Sequence, residues 1–139
     1  MTAFYDLNKI TALHADEYKA AISRVTDSGW FLHGKETEAF EAAYARYIGT
    51  RHCIGTGNGL DALSLILRAY KELGVMADGD EVIVPANTFI ASVNAIVLNG
   101  LKPMLVEPTW EGLTIDTGRI ESAVTPRTRA VIPVHLFGQ

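Results

Sequence analysis

The sequence predicts an α/β fold in which a mainly parallel sheet carries helices on both faces. Candidate strands and helices alternate along the second half of the chain, which is the order of βαβ units. The candidate strands at 81–85, 102–107 and 129–135 are apolar on both faces, as expected of strands covered from both sides. The sequence stops just after the last strand, where a further helix is expected, so we expect the front part of a larger fold.

The first 34 residues are predicted to form an arm, a helix and a loop. Residues 1–10 are expected to be extended, and apolar residues at roughly helical spacing predict a helix over 11–28 that Gly29 ends. The segment 28–34 (SGWFLHG) is aromatic and bracketed by glycines, which indicates a loop that covers something. A second helix over 35–48 follows, with aromatic residues on one face and a stop at Gly49.

The chain is organised around residues 53–67 (CIGTGNGLDALSLIL). Cys53 and Ile54 predict a short strand, the alternating glycines predict a tight turn, and the leucines predict a helix that continues toward Gly74. The glycines can adopt positive φ or allow a ligand to approach closely. Asn58 and Asp61 are both candidate caps of the helix.

The start of this helix is a candidate anion site. Free N–H groups are expected at Gly59, Leu60 and Asp61, and together with the helix dipole they suit a phosphate. The alternative is an ordinary strand-to-helix connection that binds nothing. The glycine spacing matches neither a dinucleotide fingerprint nor a P-loop.

The rest of the chain supplies the other elements of the sheet. They are a turn at 78–80, the strand 81–85, a helix over 89–99 capped by Asn87 or Thr88, the strand 102–107, a short helix near 120–124 capped by Asp116, and the strand 129–135.

Composition excludes several classes of protein. With 48% hydrophobic and 20% charged residues, a chain of 139 residues suits one globular domain. The net charge of −4 argues against nucleic-acid and anionic-membrane partners. The N-terminus carries no signal sequence and no apolar stretch is long enough to span a bilayer, so a cytoplasmic protein is expected.

Cysteine and histidine usage gives two further expectations. Cys53 is the single cysteine and is interpreted as a core residue rather than a nucleophile, in a reducing compartment. No metal site is predicted, because His14, His33 and His52 share no ligand spacing.

Ligands of parallel sheets bind beyond the carboxyl ends of the strands, where three predicted turns meet. Phe89, at the start of a helix beside the candidate anion site, could stack on a planar ring or be a core aromatic. His135 is the only histidine at a strand's carboxyl end. It is a candidate acid, base or orienter, or its ring is satisfied by a backbone carbonyl.

The sequence resembles the DegT/DnrJ/EryC1/StrS family of pyridoxal-phosphate nucleotide-sugar aminotransferases in several ordered blocks: SGWFLHGKETEAFEAAYARYIGTRHCIG, NGLDAL, GDEVIVPANTFIASVNAI, LKPMLVEP and IDTGRIESAVTPRTRAVIPVHLFGQ. The resemblance covers nearly the whole chain but only the N-terminal part of a family member. It therefore implies the N-terminal part of the large domain of a fold-type I pyridoxal-phosphate (PLP)-dependent transferase.

The segments LDALSLILRAYKELGV, PANTFIAS and LVEPTWEGLTID are most similar to the enzymes that aminate C3 of a dTDP-linked 3-keto-6-deoxyhexose. The pair Glu107-Pro108 stands where many 4-keto enzymes carry an aspartate. The resemblance thus implies a nucleotide-linked keto sugar and glutamate as substrates, in deoxysugar, lipopolysaccharide or O-antigen biosynthesis.

The resemblance also assigns candidate site residues. The phosphate of the cofactor would bind at Gly59, Leu60 and Asp61, and Phe89 would cover its ring. Most relatives have threonine at the position of Leu60, so a hydroxyl contact is lost here.

Other candidates lie at the substrate or at a dimer seam, because the family's enzymes are homodimers. They are Trp30, Phe31 and His33, with His135 as a further candidate. An exposed interface loop without ligand contacts is the alternative for the aromatic loop.

No catalytic residue is expected within this chain. In relatives, the lysine that bonds the cofactor and the aspartate that pairs with its pyridine nitrogen both follow VHLFGQ. None of the lysines of this chain matches that pattern: Lys9, Lys19, Lys35, Lys71 and Lys102. We therefore expect residues 1–34 to supply the arm, helix and substrate or dimer loop, and residues 35–139 to supply an incomplete cofactor-binding region that is inactive alone.

Three alternatives stay open. Within the family, the parent could be a 4-keto sugar aminotransferase or a PLP-dependent sugar dehydratase, which has histidine in the lysine position. Outside it, the chain could be a non-enzymatic binding domain that oligomerises through its unfinished sheet. A nucleotide-cofactor oxidoreductase is excluded by the missing fingerprint.

Overall fold

The computed structural model describes residues 6–139, and the chain divides into two compact units, Met1–Gly55 and Thr56–Gln139. The predicted division of the chain into residues 1–34 and 35–139 was based on expected functional roles and not on compactness. It stays a prediction. Among the described residues, none of the helices combines the length and apolar character that crossing a membrane requires.

In the first unit, residues 6–55 form three helices: α1 (Leu7–Leu13), α2 (Ala15–Ser28) and α3 (Lys35–Ile48). The predicted arm is wrong for residues 7–10, which begin α1 because the Asp6 carboxylate caps them by accepting the Lys9 N–H at 3.4 Å. Its residues 1–5 lie outside the described part of the chain. Gly29 and Gly49 end α2 and α3 as predicted, both in the left-handed conformation that glycine adopts freely.

The predicted strand at Cys53 and Ile54 is wrong. These residues have no regular secondary structure, and the Ile54 side chain is 79% exposed. The next N–H group, that of Gly55, donates to a Glu41 carboxylate oxygen at 2.6 Å instead of to a neighbouring strand. Cys53 is half-buried, with a free thiol.

The second unit is an α/β structure with a parallel sheet of three strands, β1 (Glu81–Pro85), β2 (Lys102–Val106) and β3 (Thr128–Val131), in the order β2-β1-β3. The strand predicted over 129–135 ends at Val131. Ile132 still donates its N–H to the Ile83 carbonyl at 2.8 Å, but Pro133 has no N–H to continue the ladder.

The unit contains three α-helices, α4 (Gly59–Glu72), α5 (Ile90–Leu98) and α6 (Thr117–Ala123), on both faces of the sheet as predicted. Alternate residues of β1 face opposite sides. Val82 and Val84 pack in a cluster with α4 and α5, whereas Ile83 packs in a second cluster that includes α6 residues. Asp116 caps α6 through the Gly118 N–H, as predicted.

The start of α5 differs from the prediction. Phe89 occupies the N-cap position, and the helix begins at Ile90. Neither Asn87 nor Thr88 caps it, because both side chains have other partners: Asn87 bonds to the Leu113 carbonyl and Thr88 to the Ser92 hydroxyl.

Candidate functional site

The N-termini of α4 and α5 lie at the same edge of the sheet. Helix α5 follows β1 directly and therefore starts at the carboxyl edge. Near the other end of α4, Lys71 Nζ donates to the Asp78 carboxylate and, at 2.7 Å, to the Asn99 carbonyl. Because Asp78 precedes β1 and Asn99 precedes β2, α4 ends at the amino edge and begins toward the carboxyl edge.

The start of α4 presents two free N–H groups rather than the three predicted. Asn58 is the N-cap: its Oδ1 accepts the Asp61 N–H at 3.0 Å, and its Nδ2 donates to the Asp61 carboxylate at 2.9 Å. The expectation of a free N–H at Asp61 is therefore wrong. Within residues 6–139, nothing accepts a hydrogen bond from the N–H of Gly59 or Leu60.

The glycines of this turn are not needed for positive φ, which none of Gly55, Gly57 and Gly59 adopts. They differ in the space around them. A Cβ at Gly57 would lie 3.0 Å from an Asp61 carboxylate oxygen, whereas a Cβ at Gly59 would meet nothing within 4 Å. Gly59 thus faces open space beside the two free N–H groups, where a ligand can approach the backbone closely.

Phe89 is exposed, so the core alternative for this residue is wrong. Its side chain is 78% accessible, although its backbone is fixed as the N-cap of α5 and its carbonyl accepts the Ser92 N–H at 3.1 Å. An aromatic ring of this kind on an ordered backbone can stack on a planar ligand. Phe89 and the two free N–H groups lie at the same edge of the sheet.

His135 lies beyond the carboxyl end of β3 and is exposed. Its Nδ1 lies 2.8 Å from the Gln139 carbonyl oxygen, so in this tautomer the ring donates to the backbone. This is the alternative in which a backbone carbonyl satisfies the histidine. A role at the substrate stays a prediction.

The aromatic loop lines a cavity of about 440 Å³ within the first unit. Trp30 and Phe31 line it, together with Arg24 and Glu36. The Trp30 indole N–H is bonded to the Leu32 carbonyl at 2.7 Å, which fixes the ring. His33 is absent from the lining residues; it adopts a φ of 50°, which is uncommon for a residue other than glycine.

Two of the charged residues that line this cavity, Arg24 and Glu36, pair with each other. The Arg24 guanidinium donates two hydrogen bonds to the Glu36 carboxylate, at 2.6 and 3.1 Å. These bonds hold the pKa of Glu36 below its ordinary value and raise the pKa of Arg24. Of the two cations that line the cavity, Arg24 is therefore paired, whereas Lys35 has no carboxylate partner among the described residues.

Replacing Arg24 with glutamine is expected to raise the pKa of Glu36. With arginine present, the folded-state pKa lies below the unfolded value of about 4.3. The pair therefore stabilises the folded unit above that pH, and its contribution is lost as the pH falls through the folded-state pKa. Titration of the Glu36 carboxyl carbon by NMR measures the shift.

Lys19→Gln is the matched control for this titration. It removes a cation from an exposed pair with Asp16 (3.9 Å) on the same helix and should leave the pKa of Glu36 nearly unchanged. A Glu36 pKa that does not move in Arg24→Gln would contradict the assignment of its cause.

No group of three or more histidine, cysteine, aspartate or glutamate side chains in residues 6–139 is placed to hold a metal ion.

Comparison with known proteins gives consistent matches along the chain. Residues 13–139 match the family described as the DegT/DnrJ/EryC1/StrS aminotransferase family. A curated relative, the dTDP-3-amino-3,6-dideoxy-alpha-D-galactopyranose transaminase of Aneurinibacillus thermoaerophilus, is 49% identical over 100% of this chain and 37% of its own length.

Two crystal structures share the fold. Streptomyces venezuelae DesV in complex with a ketimine intermediate has a TM-score of 0.88 and 47% identity, over 99% of this chain and 36% of its own. The ntda protein of Bacillus subtilis with bound cofactor PMP has a TM-score of 0.88 and 33% identity, over 99% of this chain and 31% of its own. The present chain thus spans little more than a third of the curated relative that it matches.

Proposed function

The chain belongs to the DegT/DnrJ/EryC1/StrS aminotransferase family, and from this premise we propose that it carries part of the pyridoxal-phosphate site of a nucleotide-sugar aminotransferase. The substrate proposed for the whole protein is a dTDP-linked 3-keto-6-deoxyhexose, with glutamate as amino donor. The 49% identity to a dTDP-3-amino sugar transaminase supports this choice.

The observation that carries the proposal is the presence, at one edge of the sheet, of a candidate phosphate site (the free N–H groups of Gly59 and Leu60) and of the exposed aromatic ring of Phe89. PLP has a phosphate group and a planar pyridine ring, and the described residues fit both. The Gly59 and Leu60 N–H groups would bind the phosphate, at a helix N-terminus that favours negative charge. Phe89, at the same edge, would cover one face of the ring.

The residues of this chain would bind and orient the cofactor rather than move protons. When bound, PLP supplies an electron sink for amino-group transfer. Asp61 supports the candidate phosphate site indirectly, because its N–H and carboxylate both bond to Asn58 and fix the first turn of α4. Leu60 contributes an N–H group but no hydroxyl.

The aromatic loop is proposed as the edge of the sugar-nucleotide site or of a dimer. Trp30 and Phe31 support this through the cavity that they line, whereas His33 lies outside it. His135 of the second unit is kept as a separate candidate for contact with the substrate or with a dimer partner. We propose that residues 1–34 contribute to the substrate or dimer edge and that residues 35–139 form part of the cofactor-binding region. The whole protein is proposed to be a cytoplasmic homodimer that serves deoxysugar, lipopolysaccharide or O-antigen biosynthesis.

The proposal is tested by titrating the 139-residue chain with PLP, with inorganic phosphate as competitor. We expect saturable binding that phosphate reverses, and no lysine specifically modified after borohydride reduction. The absence of any saturable binding would overturn the proposed site. Stoichiometric modification of one lysine would overturn the expectation that the chain alone is inactive.

Gly59→Ala separates binding from folding in this titration. A Cβ at this position would have no neighbouring segment within 4 Å, so the free energy of unfolding should change by less than about 1 kcal/mol. The methyl group would occupy the space beside the free N–H groups and should weaken both PLP and phosphate binding. Unchanged affinity for both ligands would place the phosphate elsewhere.

A non-enzymatic, self-associating domain is the second candidate function. It is favoured by exposed apolar side chains on the helices of the second unit, among them Leu65, Ile66, Tyr70 and Leu98. Light scattering would distinguish a single chain in solution from a self-associating one. The dehydratase and 4-keto aminotransferase alternatives are distinguished by assaying the whole protein with each keto sugar.

A further inference from the structure

A hairpin-like segment, residues 107–116, follows β2 and is built on its own hydrogen bonds. Pro108 and Ile115 form an antiparallel bridge, and the Thr109 N–H donates to the Thr114 carbonyl at 2.8 Å. Ile115 is buried in the cluster that contains Ile83, so the base of this 107–116 hairpin is anchored in the core. Its outer part presents Trp110, which is 91% exposed.

Leu113, in this hairpin, adopts an unusual backbone conformation. Its φ is 56°, in the left-handed region that favours glycine. The carbonyl of Leu113 accepts a hydrogen bond from the Asn87 side-chain amide at 2.8 Å. A strained residue thus supplies the acceptor for a contact between two segments that are 26 residues apart in sequence.

Asn87 belongs to the turn between β1 and α5, two residues before Phe89. The backbone holds this turn at two other points: the Ala86 N–H donates to the Val106 carbonyl at 2.9 Å, and the Thr88 N–H to the Pro85 carbonyl at 3.3 Å. The Asn87 amide adds a bond to the hairpin, two residues before the one that carries the exposed ring.

We infer that Asn87 is a positioning residue, which fixes the turn carrying Phe89 by tying it to the 107–116 hairpin and so orients the aromatic ring toward the cofactor. The inference rests on the proposed function, because Phe89 is taken to cover the ring of PLP. Asn87 is assigned no contact of its own with the cofactor. It acts through Phe89, at the start of α5, whereas the candidate phosphate site at Gly59 and Leu60 belongs to α4.

Because Phe89 and the phosphate-binding N–H groups belong to different helices, the effect of Asn87 on the ring of PLP can be measured apart from its effect on phosphate. In the 139-residue chain, Asn87→Ala should weaken PLP binding about two- to fivefold, the scale of one neutral hydrogen bond, and leave the affinity for inorganic phosphate unchanged. Asn87→Gln, which keeps an amide donor, should recover part of the PLP affinity. Asn94→Ala, an exposed asparagine on α5, is the matched control and should change neither affinity.

A double-mutant cycle with Phe89→Ala decides whether Asn87 acts through the ring. If it does, Asn87→Ala has no further effect on PLP affinity once Phe89 is alanine. Additive effects, an equal loss of PLP and phosphate affinity, or no loss at all would each overturn the inference.

Hydrogen exchange separates this inference from the proposed function. If the wild-type chain binds neither PLP nor phosphate, the proposed function fails, and the link from Asn87 to the cofactor is overturned with it. Faster exchange of the Thr88 and Leu113 amides in Asn87→Ala would still support the tie between turn and hairpin, and unchanged exchange would overturn that tie as well.

Discussion

Replacing Ile83 with alanine is expected to lower the free energy of unfolding of the second unit by about 2–5 kcal/mol. Ile83 lies in the central strand β1, with 0% of its surface exposed, and packs with Val106 and Ile115. Truncation removes apolar contacts and leaves a cavity that the two flanking strands cannot close without breaking their pairing. Urea unfolding followed by far-ultraviolet circular dichroism measures the loss.

Leu98→Ala is the matched control for Ile83→Ala. Leu98 is a large apolar residue of α5 in the same unit, but 71% of it is exposed. The same kind of truncation there should cost less than about 0.5 kcal/mol, because little buried area is lost. Similar losses in the two variants would contradict the assignment of Ile83 to the core.

Replacing Phe89 with alanine is expected to weaken PLP binding about two- to tenfold while leaving stability almost unchanged. The exposed ring makes little contribution to the folded state, whereas a stacked pair of rings is worth about 0.5–1.5 kcal/mol. Absorbance titration with PLP measures the affinity, and urea unfolding measures the stability. The affinity for inorganic phosphate should not change, because phosphate has no ring to stack.

Trp110→Ala provides the control for Phe89→Ala. Trp110 is also an exposed aromatic of the second unit, and its removal tests whether PLP merely adsorbs to exposed rings. We expect Trp110→Ala to retain wild-type affinity. Equal weakening by both substitutions would indicate non-specific adsorption and would remove the support that Phe89 gives to the proposed site.

The candidate site was predictable where its signals are local. Asn58 lies directly before the helical spacing of the leucines, and the cap that it forms depends only on residues within three positions. Phe89 was predictable as an aromatic at a helix start beside an apolar strand. The exposure of its ring was not predictable, because the local sequence does not show which side of a helix start is covered by other segments.

Other features of the site depend on contacts between distant segments. Asn87 has the side chain of a helix cap, and sequence favoured that role for it or for Thr88. In the structure its amide is taken by the Leu113 carbonyl, 26 residues away. No spacing rule signals such a contact, since the acceptor is a backbone group that every residue has.

The sequence by itself determined the alternation of strands and helices, the parallel sheet, the stops at Gly29 and Gly49, and the family, because each depends on local periodicity, turn chemistry or ordered blocks of residues. Tertiary structure decided that Cys53 and Ile54 form no strand, that β3 ends at Val131, and how the Asn87 amide is used. The physical reason is that backbone and side-chain polar groups take whichever partner the folded chain brings near them, and that partner can lie far away in sequence.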